Sequence, residues 1–140
     1  MKPRILVTRP IFDELLDELR RKFEVDCGED DTALAPEKLR QRLADKAGVL
    51  AFGDRIDAAA LDAAPGLRAV CNMTDGYNNV DVAACSERGI LVTNAPGVLD
   101  DTTADMTWAL LLASARRVSE SDRWLRAGHW QGMRFDDRFG

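Results

Sequence analysis

Five short strand-like runs, of which the second is the weakest, alternate with segments of helical spacing and constrain the fold of this chain more than any other feature of its sequence. The runs begin near positions 4, 23, 48, 67 and 90. Strands that alternate with helices form βαβ units, in which the sheet is parallel and helices cover both of its faces. Because such crossovers are right-handed, we predict an α/β fold with a doubly wound five-stranded sheet of order 2-1-3-4-5.

Local signals agree with that alternation. Pro36 suits the first turn of a helix, and Asp57 and Asp81 are placed to cap the helices that follow them. Apolar side chains also recur at helical spacing after the first strand and predict an amphipathic helix that lies on the sheet. Its inward residues are expected to be Ile11, Phe12, Leu15, Leu16, Leu19 and Phe23.

The segment after the fifth strand predicts an unusually long helix. Thr102 and Asp105 have the spacing of a capping box, and Gly128 is placed to close the helix. A helix of roughly 25 residues would span about 38 Å. Its first half, from 106 to 113, is apolar nearly all round. Such a helix has to be covered on every side, which one face of a sheet cannot do.

Composition excludes several classes of function. The chain has 140 residues, as expected for one ordinary domain, and its net charge of −5 without a basic stripe argues against a nucleic-acid partner. No apolar run approaches the roughly 20 residues that cross a bilayer, and no signal peptide opens the chain, so we expect no membrane partner. The cysteines, at 27, 71 and 85, show no C-x-x-C spacing. This pattern favours reduced thiols, a cytoplasmic location and no metal site.

The stretch from 67 to 97 contains the strongest indication of a binding site. A buried strand around Val70 is followed by a polar loop that contains Gly76, and then by a helix that Asp81 begins. Such a loop presents backbone N–H groups to a small anion, at the edge of a parallel sheet where ligands bind. A plain strand–turn–helix connection without a ligand is the alternative from local sequence alone, since every α/β domain contains such loops.

A few residues outside this stretch are further candidates for a functional site. Arg9 and Asp54 each follow another strand and are candidates for the same crevice, although solvated surface positions are favoured for both. The single histidine, His129, stands beside the expected helix end, where capping rather than catalysis is expected. Cys71 and Cys85 are expected in the core. The sequence contains no G-x-G-x-x-G, P-loop, G-x-S-x-G or H-E-x-x-H motif.

Longer motifs in the second half of the chain resemble the D-2-hydroxyacid dehydrogenases, and most closely their glyoxylate/hydroxypyruvate (2-ketogluconate) reductase branch. They are Asn72-Met-Thr-Asp-Gly-Tyr-Asn-Asn-Val-Asp81, Arg88-Gly-Ile-Leu-Val-Thr-Asn-Ala-Pro-Gly-Val-Leu99, Thr103-Ala-Asp105, Leu110-Leu-Leu112 and Ala115-Arg-Arg117. The resemblance implies a flavodoxin-like substrate-binding domain at 1–99 and a long inter-domain and dimerisation helix at 100–128. A tail at 129–140 would then lead to a Rossmann domain outside this sequence.

The resemblance also implies roles for individual residues. Thr74, Asp75 and Gly76 match the loop whose backbone N–H groups hold the substrate carboxylate. Gly53 would line the same crevice, and Thr103 would approach the cofactor. Most relatives carry a small apolar residue in place of Asp75, and Met133 stands where one branch has a tryptophan. Both departures leave the identity of the preferred 2-ketoacid open.

The function that the resemblance implies is the substrate-binding part of a 2-ketoacid reductase that uses NADPH or NADH. Its catalytic arginine, glutamate and histidine would lie outside these 140 residues. We therefore expect this chain alone to be inactive, to bind no cofactor, and to bind a small 2-keto or 2-hydroxy acid weakly. We also expect a homodimer through the helix at 102–127, formed by pairing or by exchange about the hinge at 95–97.

Two other functions compete with this interpretation. A free-standing flavodoxin-like binding or scaffold domain without catalysis is the alternative that fits the chain as it stands. A phosphoacceptor receiver domain is excluded, because Thr8-Arg9-Pro10 stands where acidic residues would follow the first strand.

Overall fold

The five expected strands form one parallel sheet. The computed structural model describes residues 1–132, and its strands are β1 Arg4–Val7, β2 Glu24–Cys27, β3 Gly48–Ala51, β4 Ala69–Asn72 and β5 Leu91–Thr93. Their order is β2-β1-β3-β4-β5, and every neighbouring pair is parallel. The predicted α/β architecture and strand order are therefore confirmed.

Four helices connect the strands, and their starts follow the local signals. They are α1 Asp13–Lys22, α2 Pro36–Leu43, α3 Ala58–Asp62 and α4 Val82–Glu87. Pro36 occupies the first turn of α2. The Asp57 carboxylate accepts the N–H of Ala60, and the Asp81 carboxylate accepts the N–H of Ala84. Each cap satisfies a backbone donor that the helix itself leaves unpaired.

The main core lies between one face of the sheet and helices α2, α3 and α4. Leu6, Val49 and Val70 project from that face and belong to one buried apolar cluster with the helices. The helix residues of the cluster are Leu39, Leu43, Ala60, Leu61, Ala84 and Cys85. Right-handed crossovers place α1 on the opposite face, where Leu16 is its one buried residue.

Phe12 and Leu15 do not pack on the sheet as their spacing predicts. Phe12 is 79% exposed and Leu15 is 49% exposed. Phe12 stands just before the first residue of α1, and both side chains line a cavity beyond the end of β1. Helical spacing identifies the apolar side of a helix, but it does not show where that helix overhangs the edge of the sheet.

An ionic cluster ties β2 to the end of α2. Arg42 donates to the carboxylate of Asp26 and, over 3.0 Å, to the carbonyl of Cys27. Nζ of Lys46, which is almost fully buried, lies 3.4 Å from the Asp26 carboxylate and also contacts Asp45. Burial opposes the charged form of Asp26, but Arg42 and Lys46 outweigh burial and lower the pKa of Asp26 below its usual value.

Residues from Val98 onward form a second compact unit, distinct from Met1–Gly97. It contains α5 Asp100–Ala115 and α6 Val118–Arg126, so the expectation of one continuous helix is wrong. Arg117 separates them in the left-handed conformation, with φ of +52°. The predicted domain boundaries after 99 and after 128 stay predictions.

Hydrogen bonds explain the break and the start of this unit. The Arg117 carbonyl accepts the N–H groups of Glu120 and Ser121, which begins a new helix. The expected capping box is also wrong, because Oγ1 of Thr102 donates to the carbonyl of Leu99 over 3.0 Å instead of accepting a backbone N–H. The helix α5 begins two residues earlier, at Asp100.

The stretch 106–113 of helix α5 is apolar nearly all round, and α5 has no buried residue. Its large exposed side chains are Met106, Trp108, Leu110, Leu111 and Leu112. Within residues 1–132, no helix has both the length and the apolar character that a membrane span requires.

Candidate functional site

Loops that leave β1, β3 and β4 lie side by side at the carboxyl edge of the sheet. These strands are neighbours and parallel, and backbone hydrogen bonds continue beyond their ends. The N–H of Thr8 donates to the carbonyl of Leu50 over 3.0 Å, and the N–H of Met73 donates to the carbonyl of Ala51 over 2.8 Å. The loops at 52–54 and 73–76, which contain all four residues expected to bind substrate, therefore start from adjacent positions.

Two asparagines join these loops. Nδ2 of Asn79 donates to the carbonyl of Asp54 over 2.9 Å and to Oδ1 of Asn72 over 3.1 Å. Nδ2 of Asn72 in turn lies 2.7 Å from the carbonyl of Gly76 and 2.6 Å from Oγ1 of Thr74. The Thr74 hydroxyl donates to the Gly76 carbonyl over 2.6 Å. These bonds turn the carbonyls of the loop towards the protein.

The backbone N–H groups of the same loop have no such partners. Within residues 1–132, the N–H groups of Thr74, Asp75 and Gly76 donate to no protein acceptor. Asp75 and Gly76 are exposed and Thr74 is partly exposed. The carbonyls of Asp75 and Thr74 are held by Nδ2 of Asn94 over 2.7 Å and by the N–H of Ala95 over 3.1 Å. The arrangement leaves three adjacent donors available to an anion.

The buried carboxylate of Asp54 holds the loop at 52–54, which follows β3. Its side chain is buried, accepting the N–H of Leu34 over 2.8 Å and lying 3.4 Å from the N–H of Phe52. The Phe52 N–H also lies 3.2 Å from Oγ1 of Thr8. Gly53, which lies between Phe52 and Asp54, has φ of +79°, a conformation that residues with side chains rarely adopt. The expectation of a solvated Asp54 is wrong, because two backbone donors compensate for its burial.

Arg9 is also less exposed than expected. Its side chain is 19% exposed, and its guanidinium carbon lies 5.0 Å from the centre of the Phe52 ring. Nη1 is 3.4 Å from the Asp31 carboxylate, while Nε is buried with no partner in the described part of the chain. Arg9 and Phe52 line a cavity of about 630 Å³ with Phe12, Leu15 and Met73. The solvated interpretation of Arg9 is wrong because stacking on Phe52 withdraws it from water.

The remaining candidate residues lie elsewhere. Thr103 belongs to the second unit, in the first turns of α5. His129 follows α6 and lies 5.9 Å from the Trp124 ring. Met133 lies outside the described residues. Cys85 is fully buried, and burial and then Asp81 raise the pKa of its thiol. In residues 1–132 no group of His, Cys, Asp and Glu is arranged to hold a metal ion.

Sequence reasoning missed the residues that hold the site together. Asn72, Asn79, Thr8 and Phe52 were not assigned any role, since a polar residue after a strand does not show which loop it will contact. Their one signal was the polar character of 72–79 itself.

Comparison with known proteins identifies the family. Residues 5–126 match the model of the D-isomer specific 2-hydroxyacid dehydrogenase catalytic domain. The chain belongs to the D-2-hydroxyacid dehydrogenase family. Among curated members, it is 43% identical over 132 residues to a glyoxylate reductase of Thermococcus onnurineus and 46% identical to one of Korarchaeum cryptofilum. Each match covers 94% of this chain and 40% of the relative.

Solved structures of similar proteins have the same fold. A Thermus thermophilus protein superposes with a TM-score of 0.87 at 41% identity, over 96% of this chain and 43% of that one. The NADPH-dependent glyoxylate/hydroxypyruvate reductase of Sinorhizobium meliloti, in complex with NADP and malonate, superposes with a TM-score of 0.74 at 33% identity. That match covers 100% of this chain and 43% of the reductase chain. The chain thus spans about two fifths of its relatives. The alternative of a free-standing flavodoxin-like binding or scaffold domain without catalysis is not favoured.

Proposed function

We propose that this chain supplies the substrate-carboxylate half of a 2-ketoacid reductase of the glyoxylate/hydroxypyruvate type. The observation that carries the proposal is the row of three available N–H groups at Thr74, Asp75 and Gly76, beside Gly53. Hydrogen bonds from N–H groups to a carboxylate are charge-assisted and hold a planar anion in one orientation. The Asn72–Asn79 pair fixes the loop before the ligand arrives, which lowers the entropic cost of binding.

The residues of this chain do not fit a nicotinamide dinucleotide by themselves. There is no glycine-rich phosphate loop in the sequence, and the first turn of α5 carries Asp100 and Asp101, which would repel a pyrophosphate. In a longer relative the bound cofactor would supply the hydride, and Thr103 is proposed to approach it. For this chain alone we propose no cofactor binding and no turnover.

Absorbance of NADPH tests that part of the proposal. Concentrated chain with glyoxylate or hydroxypyruvate is expected to oxidise NADPH no faster than buffer, because the sequence contains no glycine-rich phosphate loop and the catalytic residues implied by the family resemblance would lie outside it. Turnover that survives further purification, in proportion to the protein, would contradict it.

Asp75 sets how strongly the loop binds an anion. Its exposed carboxylate adjoins the proposed site, and repulsion between two such charges amounts to about 1 kcal/mol. We therefore propose that oxalate or glycolate binds in the millimolar range or more weakly, and that Asp75→Ala tightens binding about fivefold. Glu87→Ala, which removes one charge from the opposite edge of the sheet, is the matched control and should leave affinity unchanged.

Chemical-shift titration of the ¹⁵N-labelled chain tests this binding site directly. Oxalate should shift the amide signals of residues 53, 54 and 72–79, with the largest changes at 74–76. Shifts concentrated elsewhere, or equal effects of Asp75→Ala and Glu87→Ala, would argue against a carboxylate site at this loop.

We also propose a cytoplasmic homodimer that forms through the helices between 102 and 127. The free thiols at 27, 71 and 85 support the compartment, and the unburied apolar surface of α5 supports association. Each large apolar side chain left in water forgoes about 1.5–3 kcal/mol. Helix exchange about residues 95–97 is one route to the dimer. Sedimentation equilibrium of the chain and of Leu111→Glu is the test, and a monomer at every concentration would contradict it.

A further inference from the structure

The loop at 74–76 contains a pair of residues that occurs nowhere else in the chain. Asp75 is followed directly by Gly76, and no other aspartate or asparagine among the 140 residues precedes a glycine. Both residues are exposed and lie outside the helices and strands. The side chain of Asp75 and the backbone nitrogen of Gly76 are therefore neighbours along the chain at a place that water reaches.

An aspartate side chain can react with the peptide bond that follows it. The backbone nitrogen of the next residue attacks Cγ, a C–N bond forms, and the carboxyl oxygen leaves as water with the proton of that nitrogen. The resulting five-membered succinimide takes up one water molecule at either of its two carbonyls. Opening at one carbonyl restores aspartate, and opening at the other gives isoaspartate, in which the backbone runs through Cβ and Cγ. The two steps need no reagent except water and leave the mass of the chain unchanged.

Three features of the loop favour this reaction at Gly76. The attacking nitrogen is not engaged, since the Gly76 N–H donates to no protein acceptor within residues 1–132. Glycine has no Cβ, which in other residues hinders attack by the neighbouring nitrogen. The exposure of Asp75 gives water access to the succinimide.

We propose that Asp75 is a site of spontaneous covalent modification, at which the folded chain converts slowly to isoaspartate. The product keeps the negative charge of residue 75, because the former backbone carbonyl becomes a carboxylate. What changes is the length of the backbone between the α-carbon of residue 75 and the nitrogen of residue 76.

The added length disrupts the loop, because the carbonyls on both sides of the altered bond are tied. Nδ2 of Asn94 holds the carbonyl of Asp75 over 2.7 Å. Nδ2 of Asn72 and the hydroxyl of Thr74 hold the carbonyl of Gly76 over 2.7 and 2.6 Å. One extra backbone carbon, about 1.5 Å of bond length, has to fit between these fixed points. The Gly76 N–H is therefore moved out of the row that it forms with its two neighbours.

The effect on ligand binding rests on the proposed function, because it requires these N–H groups to bind a carboxylate. A bound carboxylate accepts the Gly76 N–H and so withholds the attacking nitrogen from the reaction. Saturating oxalate should therefore slow the conversion at least threefold. Once converted, the chain should bind oxalate at least tenfold more weakly.

Peptide mapping of the chain after prolonged incubation at pH 7 is the test. Isoaspartate methyltransferase with labelled S-adenosylmethionine detects the product, and electron-transfer fragmentation locates it in the sequence. Asp62 is the internal control, since it is also exposed but precedes Ala63, whose N–H donates to the carbonyl of Ala59 over 3.3 Å. Isoaspartate is expected at residue 75 and not at residue 62.

Gly76→Ala is the matched variant, because it keeps the Asp75 carboxylate and hinders only the attack. A Cβ at position 76 would meet Oδ1 of Asn78 at 3.1 Å, and this exposed side chain can move aside. Conversion at residue 75 should be at least tenfold slower in the variant. Circular dichroism before and after incubation checks that both chains stay folded.

Two results would overturn the proposed modification. One is a folded chain without isoaspartate at residue 75 under conditions in which the chain unfolded in guanidinium chloride converts there, because the fold would then suppress the reaction. The other is equal conversion in Gly76→Ala, because attack by the nitrogen of residue 76 would then not be the route.

Oxalate titration separates this proposal from the carboxylate site. Isoaspartate at residue 75 in a fresh chain whose amides oxalate does not shift would support the modification and contradict the binding site. Oxalate shifts in a fresh chain that never converts would support the site and contradict the modification. A converted chain that binds oxalate as the fresh chain does would contradict the proposed disruption of the loop.

Discussion

Asn72 and Asn79 face each other with paired side-chain amides, Nδ2 of Asn79 lying 3.1 Å from Oδ1 of Asn72 and Nδ2 of Asn72 lying 3.3 Å from Oδ1 of Asn79. The orientation of each amide is fixed independently, because each Nδ2 also contacts a backbone carbonyl, of Asp54 or of Gly76. The pair links the side chains of the loop after β4 to the loop after β3, beside the backbone bridge between Ile56 and Val80.

Replacement of Asn79 should therefore affect both loops at once. In Asn79→Asp an oxygen takes the place of the donor to Asp54 and Asn72, so two hydrogen bonds are lost and two acceptors meet. We expect the free energy of unfolding to fall by about 2 kcal/mol, together with the oxalate-induced shifts. Urea unfolding measures the first effect. Asn78→Asp, at the exposed neighbouring position, is the control and should change stability by less than about 0.5 kcal/mol.

Gly28 is required by the close approach of two strand ends. A Cβ at this position would lie 2.3 Å from the carbonyl oxygen of Thr8, and backbone atoms cannot yield as a flexible side chain can. Gly28→Ala should separate the ends of β1 and β2 and lower the free energy of unfolding by about 3 kcal/mol. The control is Gly66→Ala, whose Cβ would meet its nearest atom at an ordinary 3.7 Å. Comparable losses in the two variants would refute a steric cause.

At Gly53 it is the backbone conformation, and not steric crowding, that requires glycine. Its φ is +79°, and the nearest atom to an added Cβ is Nη2 of Arg9 at 3.9 Å. Gly53→Ala should therefore cost about 1–2 kcal/mol through the backbone alone, and Gly53→Asn should cost less, since asparagine tolerates this region better. Thermal unfolding of both variants measures these losses of stability. An asparagine variant as unstable as the alanine variant would show that steric crowding, and not the positive φ, causes the loss.

Asp26 should make stability depend on pH in the acid range. The pKa of Asp26 is lower in the folded chain than the usual value near 4. Its contribution is therefore present in full above the unfolded pKa and is lost as the pH falls through the folded pKa. Asp26→Asn should lower the free energy of unfolding by roughly 1 kcal/mol at pH 7, allowing for the partial exposure of the pair, and by progressively less below pH 4.

Urea unfolding at pH 7 and at pH 3 measures that difference. Asp17→Asn, which breaks an exposed pair with Arg20 on α1, is the matched control and should have little effect at either pH. A constant loss for Asp26→Asn at both values would show that its role is packing and not charge.

The sheet was predictable because its signals are local and repeated. Most of the strands are short apolar runs closed by a turn, although β2 carries Glu24 and Asp26. Caps such as Asp57 and Asp81 act on residues three positions away. Right-handed crossovers then reduce the possible strand orders to very few. The break at Arg117 was not predictable, because no glycine or proline marks it and an arginine seldom adopts a positive φ.

The candidate site likewise has features that follow from local sequence and features that depend on distant residues. The loop at 74–76 is predicted as an anion site from its motif and stays a prediction, whereas the burial of Asp54 was not predicted. That burial depends on the N–H of Leu34, which is distant in sequence and arrives through a loop without regular structure. The position of Arg9 on Phe52 likewise depends on two strands that are neighbours only in space.

The loop at 74–76, which we propose as a carboxylate site, is held by side-chain amides, a hydroxyl and backbone groups, and the atoms proposed to contact the ligand are backbone N–H groups. None of these groups gains or loses a proton in neutral or mildly acidic solution. The shape of the loop is therefore the same in a neutral and in a mildly acidic solution. The contacts that hold this loop are therefore independent of the charge on any side chain, and the loop is expected to offer a carboxylate the same three N–H groups in neutral and in mildly acidic solution.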